Sequence, residues 1–315
     1  MERRSVLMGG LILPLLPQAA FGKDQGLTPM KFVETRGIRL ATQSFGKASD
    51  PTILLIMGAT ASMLGWPDEF ALALAGAGFH VIRFDHRDTG QSTASPPGAP
   101  GYSVEDMADD TLAILDAYGV SKAHLIGMSL GGYIAQMVAL IARDRVHSLT
   151  LIASEPLGWD GAPLPHMSDE VLAQFGNLGT LDWSDTEAVT GFLVGLERAM
   201  TGPRYPFDET RSRARIAEVL ARTDSPASMF NHASLGTRDD WTGRYRDINC
   251  PVLVIHGEAD PVLPIKNGRA LATGITGAQI VTLPEVGHEL PLETLPTIAA
   301  RIADHLISAE DQFYQ

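Results

Sequence analysis

Cysteine is nearly absent: Cys250 is the single one among 315 residues. That excludes an intrachain disulfide and any cysteine-built zinc centre. Cys250 precedes Pro251 at the mouth of an apolar run, where a buried, inert thiol is expected. Positive charge is also scarce, with 24 Lys and Arg against 37 Asp and Glu, for a net charge of −13. No basic stripe interrupts this balance, so no nucleic-acid partner is expected. The chain lacks a Walker loop and a dinucleotide fingerprint, and His288-Glu289 lacks the second histidine of a metalloprotease helix. No metal and no cofactor are therefore expected. What remains is 45% apolar and 19% charged, the composition of a soluble globular chain rather than of a disordered, coiled-coil or collagenous one.

Residues 1–22 read as an address rather than as part of the fold. Arg3-Arg4 is followed by an uncharged stretch from Ser5 to Gly22 and by small residues at Ala20 and Gly22, the layout of a secretory signal. Pro14, Pro17, Gly9 and Gly10 weaken it as a membrane span, which needs about 20 solid apolar residues. The paired arginines point toward twin-arginine export, to the periplasm or beyond. The alternative is a cytoplasmic protein whose translation starts at Met30.

From Lys31 the pattern alternates. Lys31–Thr35 and Ile38–Phe45 read as strands of a hairpin turning at Arg36-Gly37. Apolar strand runs follow at Thr52–Met57, Phe79–Phe84, Ala123–Ile126 and Ser148–Ala153, interleaved with helices at Trp66–Ala77, Val104–Tyr118 and Tyr133–Ala142. The rhythm breaks over 155–240, where helical stretches near 168–176, 185–200 and 208–222 occur without a strand. It resumes with strands at Pro251–His256 and Ala278–Leu283, a helix near 264–273 and a last helix from about Leu292 to Ile307. Such alternation predicts a mostly parallel, eight-stranded sheet flanked by helices. The expected organisation is a signal at 1–22, a core in two parts at 23–154 and 241–315, and a helical lid at 155–240, inserted after the sixth strand. That lid would cover the sheet edge at which open α/β sheets bind ligands.

The strongest chemical signal is Gly127-Met128-Ser129-Leu130-Gly131-Gly132, which follows a predicted strand and opens a helix. A nucleophilic serine on a sharp strand-to-helix turn sits in a strained backbone conformation, so its neighbours two positions away must be nearly free of side chain. Gly127 and Gly131 meet that need, and the turn aims the Leu130 amide at developing negative charge. A serine hydroxyl needs a base, and the base needs an orienting carboxylate, in the chain order Ser, acid, His. Asp260, braced by Pro261, and His288 both follow predicted strands and fill those roles. Glu258 and Glu155 are the rival acids. Among the other histidines, His147, His166, His232 and His305 lie outside strand-end loops, His80 and His124 begin strands, and His86 and His256 read as loop braces. The second oxyanion amide is assigned to Ala59, in the small-residue loop after the third strand that begins Met57-Gly58.

Together these residues resemble the α/β-hydrolase family over the whole chain after the signal. Gly65-Trp66-Pro67-Asp68-Glu69-Phe70 and the stretch from His80 to Ser92 are similar to the group of serine esterases around aclacinomycin methylesterase. The resemblance implies a triad of Ser129, Asp260 and His288, with oxyanion amides at Ala59 and Leu130. It also implies bracing roles for Arg87 and Asp88. Met57-Gly58 stands where many family members have His-Gly, and the 155–240 segment shares little pattern with them.

The expected activity is hydrolysis of a carboxylic ester, a methyl ester being one candidate, through an acyl-enzyme. The substrate is expected to be a small, apolar molecule bound among Trp159, Met167, Phe175, Trp183, Phe192, Met200, Met229 and Phe230. Carbon–carbon bond hydrolysis and perhydrolysis use the same residues and stay open, as does a ligand receptor that keeps the triad. Oligomeric state is not legible in the sequence.

Overall fold

The computed structural model describes residues 28–165 and 167–311; the expected export signal at 1–22 and His166 lie outside them. Strands β1 (Lys31–Thr35) and β2 (Ile38–Phe45) form the expected hairpin. Its two loop residues, Arg36 and Gly37, both have positive φ, the backbone hand that matches strand twist. The remaining strands are β3 (Thr52–Ile56), β4 (His80–Phe84), β5 (Ala123–Met128), β6 (Val146–Ile152), β7 (Val252–Gly257) and β8 (Gln279–Leu283). They form one eight-stranded sheet in the order β1-β2-β4-β3-β5-β6-β7-β8, antiparallel at β1–β2 and β2–β4 and parallel elsewhere.

Continuous apolar runs in β3, β4 and β5 follow from burial on both faces: every residue of those strands is buried. On one face lie α2 (Val104–Ala117), α3 (Leu130–Ile141) and α7 (Lys266–Gly274), packed through Met107, Ile114, Ile134, Val138 and Leu271. On the other lie α1 (Asp68–Gly76) and α8 (Leu295–Asp311), packed through Phe70, Leu74, Ile298, Ile302 and Leu306. The chain leaves β3 toward β4 on one side, and β5, which pairs with β3 on the other, continues to β6. The loops after β3 and β5 therefore emerge side by side at the switch point of the sheet, the place where open α/β sheets bind ligands.

Between β6 and β7 stand α4 (Asp169–Gly176), α5 (Thr186–Met200) and α6 (Glu209–Ala221), followed by 3-10 segments. Ser168, Asp185 and Asp208 cap the three helices through side-chain bonds to first-turn amides, which is why each starts where it does. These helices carry a small apolar cluster of their own, centred on Phe230, whose ring lies 5.9 Å from Phe192 and 5.8 Å from Trp183. The main core takes up side chains from both flanks of the insertion. Trp241 and Tyr245 pack into the main core, and Trp159 packs against that core rather than with the Phe230 cluster, 5.9 Å from the Tyr245 ring. Leu157 and Leu235, near the two ends of the inserted stretch, also belong to or pack against that core. The insertion is also fastened to the core by charge: Arg222, at the end of α6, meets the fully buried Asp85 at 2.7 Å.

Candidate active site

Six non-glycine residues among those described have positive φ; Arg36 lies in the β1–β2 hairpin, and the other five, Thr60, Asp88, Ser129, Ala153 and Glu285, lie in loops that follow strands of the parallel part of the sheet. These loops follow β3, β4, β5, β6 and β8, so all five lie at the C-terminal edge of the parallel sheet. Backbone strain of this kind is costly and concentrates where geometry serves chemistry.

Ser129 is the sharpest case. It joins β5 to α3 at φ 53° and ψ −121°, with its N–H donated to the Ile152 carbonyl at 2.9 Å. The flanking glycines are required sterically. A Cβ at Gly127 would lie 2.3 Å from the Gly131 carbonyl oxygen, and one at Gly131 would lie 2.0 Å from that of Ile56. Helix α3 begins at Leu130, three residues before the expected start, so the Leu130 amide belongs to the unpaired first turn beside the serine. Gly58, in the loop after β3, faces the same serine: a Cβ there would stand 3.2 Å from Ser129 Cβ and 3.8 Å from its Oγ. Ala59 follows it, partly exposed.

Asp260 and His288 meet as expected. His288 Nδ1 lies 2.8 Å from Asp260 Oδ2. The other carboxylate oxygen, Oδ1, accepts the amides of Val262 and Leu263, each at 2.8 Å. His256, the expected loop brace, lies 2.6 Å from the Leu263 carbonyl and 3.4 Å from Asp260 Oδ2. Burial alone would raise the Asp260 carboxyl. The charge and hydrogen bonds of His288 and His256 outweigh it and hold the group well below the usual carboxylate range. Asp260 is thus a fixed anion whose remaining lone pair orients the His288 ring and leaves Nε2 as its outward nitrogen. The Ser129 hydroxyl makes no hydrogen bond among the described residues, so serine and imidazole share the sheet edge without a closed contact. Glu258 accepts from Thr282 at 2.8 Å, and among the described residues neither Glu258 nor Glu155 hydrogen-bonds His288.

The stretch from His80 to Ser92 braces, as expected. Arg87 donates to both oxygens of Asp110, at 2.6 and 2.8 Å. Asp88 accepts from Tyr102 at 2.7 Å and from Asn231 at 2.8 Å. His86 Nε2 lies 2.9 Å from the Met57 carbonyl, directly before Gly58 and Ala59. Burial, and then the nearby His232, hold the His86 ring down to about 3, so it is neutral. In the sequence His232 lies far from any strand end. It nonetheless reaches the loop after β3, with Nδ1 3.0 Å from the Thr60 amide. The signal that locates it is three-dimensional, since 172 residues separate the partners. Of the expected substrate-lining residues, Phe192, Met229 and Phe230 are buried in the insertion's own cluster, with Met167, Phe175, Trp183 and Met200 against it. Trp159 stands apart from them, as described above.

A mostly parallel sheet with this strand order, a strained serine at its switch point and an Asp–His pair on neighbouring strand ends define an α/β hydrolase. The chain belongs to that family: the alpha/beta hydrolase fold matches residues 51–294. It is 35% identical to rhodomycin D methylesterase of Streptomyces sp. strain C5 over 298 residues, covering 89% of this chain and 99% of that one. It is 34% identical to the rhodomycin D methylesterase of Streptomyces peucetius, with the same coverage. Among solved structures, an esterase from Rhodococcus sp. ECU1013 shares the fold at a TM-score of 0.72, with 20% identity, over 89% of this chain and 99% of that one.

Proposed function

We propose that the protein is a serine hydrolase that cleaves a small, apolar carboxylic ester, with a methyl ester the favoured substrate. The observation that carries this reading is the Asp260–His288 hydrogen bond at 2.8 Å on the sheet edge that also presents the strained Ser129. His288 Nε2 takes the Ser129 proton as Oγ attacks the ester carbonyl, and the Asp260 carboxylate stabilises the imidazolium. The Leu130 and Ala59 amides hold the oxyanion, each donor being worth about 3 kcal/mol. The imidazolium then passes its proton to the departing alcohol. Water, deprotonated by the same ring, attacks the acyl-enzyme and frees the acid and Ser129. The relatives that support the methyl ester are the two rhodomycin D methylesterases, each spanned almost in full by this chain. The Phe230 cluster of the insertion, together with Val262 just beyond Asp260, supplies an apolar wall near the site.

Export is part of the same proposal: residues 1–22 direct the enzyme to the periplasm or beyond. N-terminal sequencing of protein recovered from the periplasmic fraction should start after Gly22, and a cytoplasmic protein starting at Met30 would end that part. For the chemistry, Ser129→Ala is assayed against short p-nitrophenyl and methyl esters. Turnover should fall by about 10⁴-fold or more. A fluorophosphonate should add its mass to Ser129 in the parent chain and to nothing in the variant. Undiminished ester turnover by Ser129→Ala sinks the proposal.

A further inference from the structure

Two imidazoles grip the loop after β3 on either side of Ala59. Before it, the Met57 carbonyl faces His86 Nε2 at 2.9 Å. After it, the Thr60 amide faces His232 Nδ1 at 3.0 Å, while Nε2 of the same His232 lies 2.8 Å from the Arg87 carbonyl. The rings of His86 and His232 meet edge to face with centroids 5.9 Å apart. We infer that His232, carried by the insertion rather than by the sheet, is the positioning residue that fixes the oxyanion loop of the proposed esterase. The inference rests on the ester-hydrolase reading, because it assigns His232 to that reaction's oxyanion amide.

The chemistry of the two contacts is directional. A carbonyl only accepts, so Nε2 carries the proton; an amide N–H only donates, so Nδ1 is bare. One neutral tautomer of His232 therefore satisfies both groups at once and bridges the loops after β3 and β4. Thr60 needs that support. It is β-branched and sits at φ 64°, a conformation such residues rarely adopt, and relaxation there would displace the preceding Ala59 amide, the proposed oxyanion donor. His232 itself is held from behind. The segment Pro226–Ser234 is pinned to the core by Asn231, which accepts from Gly98 at 2.6 Å and donates to Asp88 at 2.8 Å, and by Ser228, which donates to the Ser95 carbonyl at 2.7 Å. The ring is 5% exposed, and burial lowers its pKa, which keeps it in the neutral form that both contacts demand. The inserted segment thus sets an electrostatic element of the proposed site.

The test compares three substitutions in the full chain. His232→Asn keeps an acceptor where Nδ1 stands, His232→Gln places a donor where Nε2 stands, and His232→Ala keeps neither. Both acylation and deacylation pass through an oxyanion, so the loss should fall on kcat rather than on KM. For short p-nitrophenyl esters, Ala and Gln should lower kcat at least tenfold with KM within about twofold, and Asn should recover most of it. Urea unfolding of each variant separates this from stability, since a residue of the fold alone would not rank Asn above Gln in kcat. Wild-type kcat in folded His232→Ala overturns the inference, as do Gln matching or exceeding Asn and failure of all three to fold. Parent chain that turns over esters and takes the fluorophosphonate on Ser129 keeps the parent reading intact in each of those cases. Absence of ester turnover in the parent chain removes both.

Discussion

The backbone N–H of His288 donates to the carbonyl of Met200, the last residue of α5, at 2.8 Å. The proposed base is therefore stitched to the helical insertion and not only to the strand that precedes it. Around this bond the chains interleave closely. Glu289 accepts the Gly202 amide at 2.9 Å, Arg204 donates to the Glu285 carbonyl at 3.0 Å, and glycines stand where the two segments cross.

Gly202→Ala should disturb catalysis more than the fold. Its Cβ would lie 2.3 Å from the Gly287 amide nitrogen and 2.4 Å from the Glu285 carbonyl oxygen, both backbone atoms, so the His288 loop has to move. A shift of about 1 Å in a catalytic group costs about 100-fold in rate, whereas overpacking at one site costs about 1–3 kcal/mol in stability. We expect kcat/KM on short esters to drop at least tenfold while the urea midpoint still reports a folded protein. An unchanged kcat/KM would show that the crossing does not position His288.

Asp260→Asn tests the orienting role. The amide keeps the shape but cannot hold the imidazole in the tautomer that leaves Nε2 bare, and such a replacement lowers kcat by about 10⁴-fold. The neighbouring amides of Val262 and Leu263 remain available to the Asn oxygen, so the fold should survive. Circular dichroism and a kcat measurement on the same preparation decide it. A loss of less than tenfold would reassign the acid.

Two glycine substitutions should move stability in opposite directions. Gly131→Ala forces a methyl onto the Ile56 carbonyl at the strained turn, and the expected result is a loss of more than about 3 kcal/mol or insoluble protein. Gly191→Ala lies on the exposed face of α5 with nothing within 4 Å of the new methyl, and a helix-interior Gly→Ala gains about 0.5–1 kcal/mol. Urea midpoints that fail to separate the two would contradict the steric account of the elbow.

The contrast between these glycines also marks what was legible in the sequence. The elbow and the hairpin at Arg36-Gly37 rest on local devices, in which a side chain or its absence constrains the next few residues, and the Asp260–His288 pairing rests on both residues following neighbouring strands. Their positions follow from spacing, and the strand ends differ from the expected ones by one or two residues. The Leu130 start of α3 is not legible in the sequence because Gly131 and Gly132 read as turn, although the tight approach to Ile56 is what demands glycine at Gly131. His232 and the clasp at Met200 were illegible for a different reason. Each is a contact between a helical insertion and a distant loop, and no periodicity records which face of a 3-10 segment meets which amide. The place of Trp159 in the sequence points to a substrate wall, whereas Tyr245, 86 positions on, determines where it packs.

Acid should destabilise the protein in a way that particular histidines account for. His86 and His124 are fully or nearly fully buried, and burial first, then neighbouring histidines, hold each down to about 3. In the unfolded chain a histidine protonates near 6.5, so between about 6.5 and 3 the unfolded state binds one more proton than the folded state at each site. Stability then falls with falling pH by about 1.4 kcal/mol per pH unit for each such ring. Asp85 and Glu289 oppose this, because burial raises their carboxyls and protonation favours the folded state there. The total slope is therefore a balance, and a difference between two proteins isolates one ring. His124, which contacts Ser148 and Glu310 at the opposite edge from the active site, is the suitable choice. Urea unfolding of the parent chain and of His124→Gln at pH 7, 6, 5 and 4.5 should show the variant losing less stability per pH unit, by about 1.4 kcal/mol below pH 6. Parallel curves would mean that His124 already carries its proton in the folded protein, paired with Glu310.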